Sequence, residues 1–258
     1  MKKLLSLLSC IFFSVNILYG QLQSVENTAF KKGEKLVYRI HYGVIDAAEA
    51  VLEVKNIDKK IGSRSVYHIV GTGKSKSAFD WFFKVDDLYQ TYIDEKSMVP
   101  WLFIRRVNEG GYIIKQDYLF NQYKKTVNNG DGKTFNVPAN VHDMLSAFYY
   151  ARCMDFSNAK VGDIFSVNSF VDNELFLLKI KFMGKETIET DLGKIKCLRF
   201  HPVIQTGRIF ANEEDLSIWI SDDKNHIPIM GEAKILFGSL KMDLQSYEGL
   251  LNPLSKED

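Results

Sequence analysis

The chain has 258 residues, with 33 basic and 32 acidic side chains and a formal net charge of +1. This balance provides no electrostatic basis for binding nucleic acid or an anionic membrane surface, and we expect no nucleic-acid partner. Aromatic residues make up 13% of the sequence, which favours β-strands around an aromatic interior and is not the composition of a disordered chain.

The first 20 residues are typical of a secretory signal peptide. Lys2 and Lys3 form a positive start, an apolar run extends over 4–18, and Gly20 is a small residue at the expected cleavage point. The run is too short for a stable transmembrane span, which needs about 20 apolar residues. Only about four apolar residues precede Cys10, so cleavage after Gly20 is favoured over lipidation at Cys10. We expect an exported protein of the periplasm or of the periplasmic face of the outer membrane, with full secretion as an alternative.

Alternation of apolar and other residues predicts a series of strands after a polar leader over 21–29. In the first strand, apolar residues recur at every second position from Leu36 to Tyr42, as expected when one face is buried. The predicted strands of this half lie at 36–42, 48–54, 66–72, 87–94, 101–108, 112–120 and 123–128. Turn-forming residues separate several of them, at 43–46, 58–62, 109–111 and 129–132.

An aromatic segment over 77–85 interrupts this pattern. It is interpreted either as a short helix capped by Ser77 or as an aromatic-rich loop. Its side chains either surround the mouth of an apolar pocket or pack as plain core. The aromatic residues in question are Phe79, Trp81, Phe82 and Phe83.

One amphipathic helix is predicted over 141–153. Apolar residues at 141, 144, 145, 148 and 149 follow the spacing of a helical stripe. Asn140 is predicted to cap the helix, and Asp143 lies where a negative charge favours the N-terminal dipole. This helix joins two β-rich halves.

Strands resume after the helix, with turns about every 8–12 residues, which is typical of antiparallel β architecture. They are predicted at 164–170, 175–182, 186–190, 195–202, 216–220, 227–235 and 240–247. We therefore predict an all-β, mainly antiparallel fold, with curved sheets that form an open barrel or a sandwich. The helix plugs one end or lines the concave face. Residues 30–250 form a single domain in this interpretation, and a mobile polar tail follows over 251–258.

The sequence contains no glycine-rich phosphate loop, GxSxG elbow, HExxH motif or EF-hand loop, and no catalytic residue is assigned. None of the five histidines pairs with another at metal-ligand spacing, so neither a metal site nor a cofactor is predicted. His142 and Asp143 could support acid–base chemistry, but a helix cap beside a packed or exposed histidine is the simpler interpretation. Asp222 and Asp223 form either a calcium or carboxylate site or a hairpin turn, and the turn is favoured because adjacent strand residues point to opposite faces.

Two cysteines remain after the predicted signal peptide, at Cys153 and Cys197. An oxidising compartment permits a disulfide between them, and two separate buried thiols are the equal alternative. The absence of a CxxC pair gives no support to a redox enzyme or a zinc ribbon.

Several motifs together resemble one bacterial family. The pattern Phe30-x-x-Gly33-Glu34-x-Leu36-x-Tyr38-x-Ile40-x-Tyr42-Gly43 resembles the opening of the family called domain of unknown function 3108. Further segments similar to that family are Asp143-x-Leu145-Ser146-x-Phe148-Tyr149-Tyr150-x-Arg152, Gly193-x-x-x-Cys197 and Leu216-x-Ile218-Trp219-Ile220-Ser221-Asp222-Asp223-x-x-x-Ile227-Pro228. The resemblance implies an envelope-associated, β-rich protein without an established activity, so no catalytic residues are carried over. The sequence departs from the family at Ala47-Ala48, where glycine is expected.

We therefore expect a non-enzymatic binding or scaffold module of the cell envelope, which holds a lipid-like or other apolar ligand in its curved sheet. The candidate ligand-binding residues are Phe79, Trp81, Phe82, Phe83, Tyr149 and Trp219. One alternative is a protein–protein interaction component of an envelope complex, which docks through an edge strand or the aromatic segment. A second alternative is a hydrolase of an envelope polymer, for which His142, Asp143 and Asp222 are the residues to test.

Overall fold

The computed structural model of the protein describes residues 21–81, 83–203, 215–234 and 238–257. The predicted signal peptide over 1–20 lies outside these residues. The strands are β1 (Lys35–Tyr42), β2 (Ile45–Val54), β3 (Lys59–Ile61), β4 (Arg64–Ser75), β5 (Asp86–Asp94), β6 (Pro100–Glu109), β7 (Tyr112–Asn121), β8 (Thr126–Asn128), β9 (Thr134–Asn136), β10 (Ile164–Val171), β11 (Glu174–Thr190), β12 (Gly193–Pro202), β13 (Leu216–Ser221), β14 (Pro228–Lys234) and β15 (Ser239–Glu248). The helices are α1 (Ser77–Asp80) and α2 (Met144–Arg152). Neither of these two described helices is long and apolar enough to cross a membrane.

The described strands form one antiparallel sheet, which confirms the predicted all-β fold. Their order is β10-β11-β12-β13-β14-β15-β1-β2-β4-β5-β6-β7-β8-β9, and β3 pairs with β4 outside this path. Because β1 stands between β15 and β2, the last strand pairs with the first. The sheet is therefore continuous across the two predicted halves.

The sheet curls until its two edge regions meet. The turn between β10 and β11 reaches strands near the opposite edge: Arg105 Nη1 donates to Asp172 Oδ1 at 2.9 Å. The amide of the next residue, Asn173, donates to Tyr118 Oη at 3.2 Å. This curvature wraps the concave face of the sheet around α2.

The two ends of the curled sheet carry different turns, because successive antiparallel strands run in opposite directions. We call one end the Trp81 end; it carries the turns at 43–44, 76–85, 110–111, 129–133 and 172–173. We call the other the Arg152 end; it carries the segments 21–34 and 249–257 and the turns at 55–58, 95–99, 122–125, 191–192 and 222–227.

Buried apolar side chains form three clusters. The largest joins α2 to β4–β8 and β10, and its members include Ile69, Ile93, Phe103, Tyr118, Tyr149 and Phe170. The second joins β1 to β12–β15 and includes Leu36, Ile195, Trp219, Ile227 and Leu244. The third consists of Phe156, Phe182, Leu198 and Phe200.

The observed boundaries differ from the predicted ones at several places. β3 lies within the turn predicted at 58–62, β8 is shorter than the strand predicted at 123–128, and β9 is not predicted. The helix and the longest strand differ as well. α2 begins at Met144 rather than at 141, and its N-cap is Asp143, whereas Asn140 has a positive φ of 56° in the preceding loop. The strands predicted at 175–182 and 186–190 are one strand, β11, which has a register shift at Gly184. Gly184 has φ of +124°, a backbone conformation that favours glycine, so it marks a bulge rather than a turn.

The C-terminal segment is packed against the Arg152 end, although its polar composition predicts a mobile tail. The Ser255 amide donates to Asp223 Oδ2 at 2.8 Å, and the Ser255 hydroxyl donates to Lys196 O at 2.9 Å. The Lys196 amide donates to Ser255 O at 2.9 Å, and Leu254 packs on the second buried cluster. The segment is therefore held in place by the sheet.

Candidate functional site

Helix α2 lies on the concave face of the sheet and is fixed there by its N-cap. The Asp143 carboxylate accepts hydrogen bonds from the amides of Leu145 at 2.9 Å and Ser146 at 2.8 Å. The Ser146 hydroxyl accepts from the Asp143 amide at 3.0 Å, which completes a capping box. Thr91 of β5 donates to the second carboxylate oxygen of Asp143 at 2.7 Å, and so ties the helix start to the sheet.

Burial changes the acidity of both residues at the helix start. Desolvation raises the pKa of Asp143 to about 6, although the hydrogen bonds from Ser146, Thr91 and Leu145 oppose this shift. Desolvation lowers the pKa of His142 to about 3, and its ring packs 4.6 Å from that of Tyr150. Asp143 is occupied as a cap, which is the simpler of its two predicted roles, and His142 is 1% exposed.

The other end of α2 is held by a buried ion pair. Arg152 Nη1 and Nη2 donate to the two carboxylate oxygens of Glu34 at 2.6 and 2.8 Å, and both side chains are at most 2% exposed. Arg152 Nε donates to Asn225 O at 2.9 Å. The guanidinium also lies 5.3 Å from the ring centre of Phe30 and 5.0 Å from that of Tyr149. This one side chain therefore joins the N-terminal segment, α2 and the turn between β13 and β14.

The ion pair keeps Arg152 charged in spite of its burial. Desolvation lowers the pKa of Arg152, but the adjacent Glu34 carboxylate more than offsets this effect, and the net shift is upward. A bidentate pair with its remaining donors satisfied is the arrangement in which buried charges are tolerated. Since the guanidinium is fully engaged, its role here is to anchor the helix.

A cavity of about 140 Å³ lies between α2 and the inner face of β10–β13. We call it cavity 1. The helix contributes Phe148 and Ala151, and the strands contribute Val167, Leu178, Phe200 and Ile218, among other apolar side chains. The titratable residues at its border are Arg152, which is paired with Glu34, and His226. Desolvation lowers the pKa of His226, whose Nδ1 lies 2.7 Å from Arg152 O. Cavity 1 is therefore apolar and carries no unpaired charge.

A second cavity, of about 280 Å³, lies on the other side of α2, between its first turn and β2, β4 and β5. We call it cavity 2. Met144 and Leu145 of the helix face Leu52 and Tyr89 across it. Two glycines of β4, at 71 and 73, provide its space; a Cβ at Gly71 would lie 3.2 Å from Leu52 Cδ2. The helix is thus flanked by an apolar cavity on each side.

The predicted ligand-binding residues are not brought together in one place. Trp81 is 85% exposed beyond α1, Phe83 is 45% exposed, and Phe79 is half-buried, while Phe82 lies outside the described residues. These positions correspond to neither cavity 1 nor cavity 2.

Tyr149 and Trp219 are core residues rather than cavity-lining ones. Tyr149 is fully buried beside Phe30, with ring centres 4.9 Å apart. Trp219 is 5% exposed and belongs to the second buried cluster, whereas its neighbours Ile218 and Ile220 line cavity 1. Since successive strand residues point to opposite faces, the aromatic residue singled out in the sequence faces away from the cavity and its aliphatic neighbours face it.

The two aspartates of the predicted turn have separate partners. Asp223 accepts from the Asn225 amide at 2.8 Å, as expected for a turn. Asp222 instead pairs with Lys185 Nζ at 2.9 Å. Among the described residues, no group of three or more His, Cys, Asp or Glu side chains could hold a metal ion.

The two cysteines are free thiols that lie in different buried clusters. Burial raises the pKa of each thiol to about 12. Of the two alternatives that the sequence leaves open, the structure has separate thiols and no disulfide; Cys197 is buried and Cys153 is partly buried.

Sequence reasoning does not identify the ion pair between Glu34 and Arg152 or the residues that line the cavities. The signal for the pair is indirect: both residues lie within the motifs of the family resemblance, and so do Asp143, Ser146 and Tyr149, which surround the same helix. In the sequence, the cavity-lining residues have the same apolar alternation as ordinary core residues. This pattern does not depend on whether the opposite surface packs against them or leaves a cavity.

Comparisons with known proteins agree with this fold. The family described as Protein of unknown function (DUF3108) matches residues 37–245 of the chain. Among curated proteins, none matches. A beta-barrel-like protein of domain of unknown function DUF1849 from Brucella abortus has a TM-score of 0.56 and 9% identity, over 85% of this chain and 98% of that chain. This similarity shows a shared fold and no more.

Two further solved structures are more distant. A protein from Parabacteroides distasonis, provisionally described as a lipoprotein, has a TM-score of 0.39 and 11% identity, over 88% of this chain and 100% of that chain. A protein from Bacteroides fragilis, provisionally described as exported and YmcC-like in fold, has a TM-score of 0.34 and 11% identity, over the same shares of 88% and 100%. Scores this low support no structural argument.

Proposed function

This chain belongs to the family described as Protein of unknown function (DUF3108), and we propose that it binds a lipid-like apolar ligand beside α2 in the cell envelope. The binding is non-enzymatic in this proposal. The proposed location in the cell envelope follows from the signal peptide predicted over 1–20, which would export the chain from the cytoplasm.

Cavity 1 is the observation that carries this proposal. Its wall is made of apolar side chains from both α2 and the inner face of β10–β13. An apolar group placed in it therefore loses contact with water wherever it touches this wall. Its volume of about 140 Å³ is comparable to that of engineered apolar cavities of roughly 150 Å³, which stay dry and bind benzene. Transfer of apolar surface from water is favourable by about 25 cal/mol per Å². Transfer of a short alkyl or aryl group from water into cavity 1 is therefore favourable.

The charges near cavity 1 favour an uncharged portion of the ligand. Arg152 is engaged by Glu34 and by two main-chain oxygens, and burial favours the neutral form of His226. A buried unpaired charge costs several kcal/mol. A ligand that placed its own charge in the cavity would find no partner, so its polar end is expected to point outward.

The experiment is native mass spectrometry on protein purified from the periplasmic fraction without detergent. The proposal predicts a species heavier than the apo chain, which disappears after extraction with organic solvent, and the extract contains a lipid or another apolar compound. A spectrum that contains only the apo mass, from protein shown to be folded by circular dichroism, would contradict it. An extract that contains only polar metabolites would also contradict it.

A further inference from the structure

Exposed apolar side chains concentrate at the Trp81 end of the sheet. Val44 is 93% exposed, Trp81 is 85% exposed and Tyr112 is 66% exposed. Near the turns at 43–44, 76–85 and 110–111 and at the start of β15, the other large apolar side chains with at least 39% exposure are Tyr42, Ile45, Phe83, Ile113 and Leu240. We call these eight side chains the apolar rim. Exposed side chains of this kind are single and scattered on most soluble proteins, so a cluster marks an interaction surface.

Neighbouring turns of the apolar rim contact one another, so the rim is one connected surface. The Lys76 amide donates to Ala47 O at 2.9 Å, which joins the start of β2, beside the turn at 43–44, to the connection after β4. The Gly110 amide donates to Lys84 O at 2.8 Å, which joins that connection to the turn after β6. On the other side, the Tyr42 side chain lies against Gly238 in the turn before β15.

We propose that the apolar rim docks on the surface of a lipid bilayer, with Val44 and Trp81 entering the interfacial layer. Tryptophan and tyrosine are enriched where proteins meet that layer, because each has an apolar body and a polar group. The rim presents the tips of several turns at one end of the sheet rather than one groove or one sheet edge. Several separate turn tips can contact a bilayer at the same time, because a bilayer is broad and fluid and does not require a complementary shape.

The charges around the rim indicate which lipids it favours. Lys76 lies 3.8 Å from Glu49, and Lys74 lies 3.9 Å from Asp86, so these lysines have acidic neighbours on the protein itself. A surface with balanced charges has little attraction for anionic headgroups. Docking therefore depends on apolar contact and is expected on vesicles without net charge, with weak dependence on salt.

This inference deepens the proposed function and rests on it for the identity of the ligand. Cavity 2 lies toward the Trp81 end, where Met144 is 39% exposed and Gly73 lies two residues before the end of β4. A rim seated on a bilayer would place the lipid phase beside this side of α2. An apolar ligand could then pass between membrane and protein without crossing water.

The test is flotation of the purified protein, without its signal peptide, on vesicles of phosphatidylcholine and phosphatidylethanolamine. The rim variant combines Val44→Ser with Trp81→Ser, and the matched control combines Ile57→Ser with Leu251→Ser at the Arg152 end, where the exposed fractions are 46% and 41%. The wild type and the control are expected to float equally well in low and high salt. The rim variant is expected to lose about tenfold in bound fraction, because two inserted side chains become polar.

Three outcomes would overturn the docking proposal: no flotation of the wild type, equal loss in both variants, or a rim-dependent dimer in sedimentation equilibrium with no flotation. Binding of cis-parinaric acid, a fluorescent fatty acid, in vesicle-free solution separates this proposal from the proposed function. A rim variant that binds the fatty acid but does not float supports both. A wild type that floats but binds no fatty acid would leave docking standing and contradict the proposed function.

Discussion

The two ends of α2 lie in opposite surroundings. At its C-terminal end, Arg152 is buried in an ion pair with Glu34 and donates to the main chain of two other segments. At its N-terminal end, Met144 is 39% exposed beside a cavity, Thr91 of β5 donates to Asp143, and the main chain of His142 is hydrogen-bonded to β10. One end of the helix is locked by charge and the other borders open apolar space.

This difference extends to the sheet itself. The Arg152 end is closed by the N-terminal and C-terminal segments and is cross-linked by hydrogen bonds, whereas the Trp81 end carries the apolar rim. We infer that the Arg152 end mainly stabilises the fold, although Arg152 and His226 also border cavity 1, and that the Trp81 end and the two cavities serve binding. Substitutions at the Arg152 end should act mainly on unfolding, and those at the Trp81 end and in the cavities mainly on binding.

The largest effect is expected from breaking the ion pair. Arg152→Met leaves the Glu34 carboxylate buried without a partner, which costs about 3–5 kcal/mol in the free energy of unfolding. Urea unfolding followed by circular dichroism measures the loss. A cost below about 1 kcal/mol would mean that the Arg152 end does not hold the fold together.

The double variant Glu34→Leu with Arg152→Met serves as the control for that prediction. It removes both charges, so the penalty for an unpaired carboxylate disappears. It is expected to be more stable than Arg152→Met alone, although the hydrogen bond to Asn225 O is still lost. A double variant less stable than the single one would show that the pair does not act as a unit.

A smaller and pH-dependent effect is expected at the helix start. Asp143 has a raised pKa of about 6, so its contribution to stability is present below its unfolded pKa of about 4 and is lost as the pH rises to about 6. Asp143→Asn keeps a capping side chain and removes this titration. The unfolding free energy of the variant relative to the wild type should therefore increase by about 1.4 kcal/mol per pH unit between about pH 4 and 6.

His142 provides the opposite control. Its pKa is lowered to about 3, so its contribution to stability is present above its unfolded pKa of about 6.5 and is lost as the pH falls toward 3. His142→Gln should therefore lose stability relative to the wild type as the pH rises through the same window. Urea unfolding at several pH values checks both signs, and parallel curves for the wild type and both variants would rule out these two titrations.

The smallest effect on stability is expected in cavity 2. Gly73→Leu places a side chain in its space, where a Cβ would lie 3.8 Å from that of Asp87, which is ordinary contact. Glycine weakens strand interiors by roughly 0.5–1 kcal/mol, so the variant should be as stable as the wild type or slightly more stable in thermal melts. Destabilisation by more than about 1 kcal/mol would show that this space is needed for the fold rather than left for a ligand.

Much of the fold can be predicted from the sequence because alternation and turn residues are local signals. The strands from β10 to β15 follow their predicted ranges closely, apart from the division of β11 at Gly184. The gap predicted there between two strands is a bulge within one strand, since only the pairing with β12 shows that the strand continues.

The candidate site is much less predictable. Glu34 and Arg152 are 118 positions apart, and nothing local indicates that they meet. The predicted ligand-binding residues are aromatic residues that stand out in the sequence, but Trp219 faces the core and Trp81 faces outward. Ile218 and Ala151 line cavity 1, but nothing in the sequence distinguishes them from packed core residues. The local pattern is the same whether the opposite surface is in contact with them or separated from them by a cavity.

The most direct test of ligand binding in cavity 1 fills the cavity from the helix. Ala151→Phe places a ring in the space beside Phe148, and Ala139→Phe makes the same change in the exposed loop before α2. Both purified variants are compared with the wild type by titration with cis-parinaric acid, after thermal melts show that they are folded. We expect at least about tenfold weaker binding by Ala151→Phe and unchanged binding by Ala139→Phe, since a ring in the cavity excludes the apolar ligand. Equal affinity of all three folded proteins would contradict binding in cavity 1.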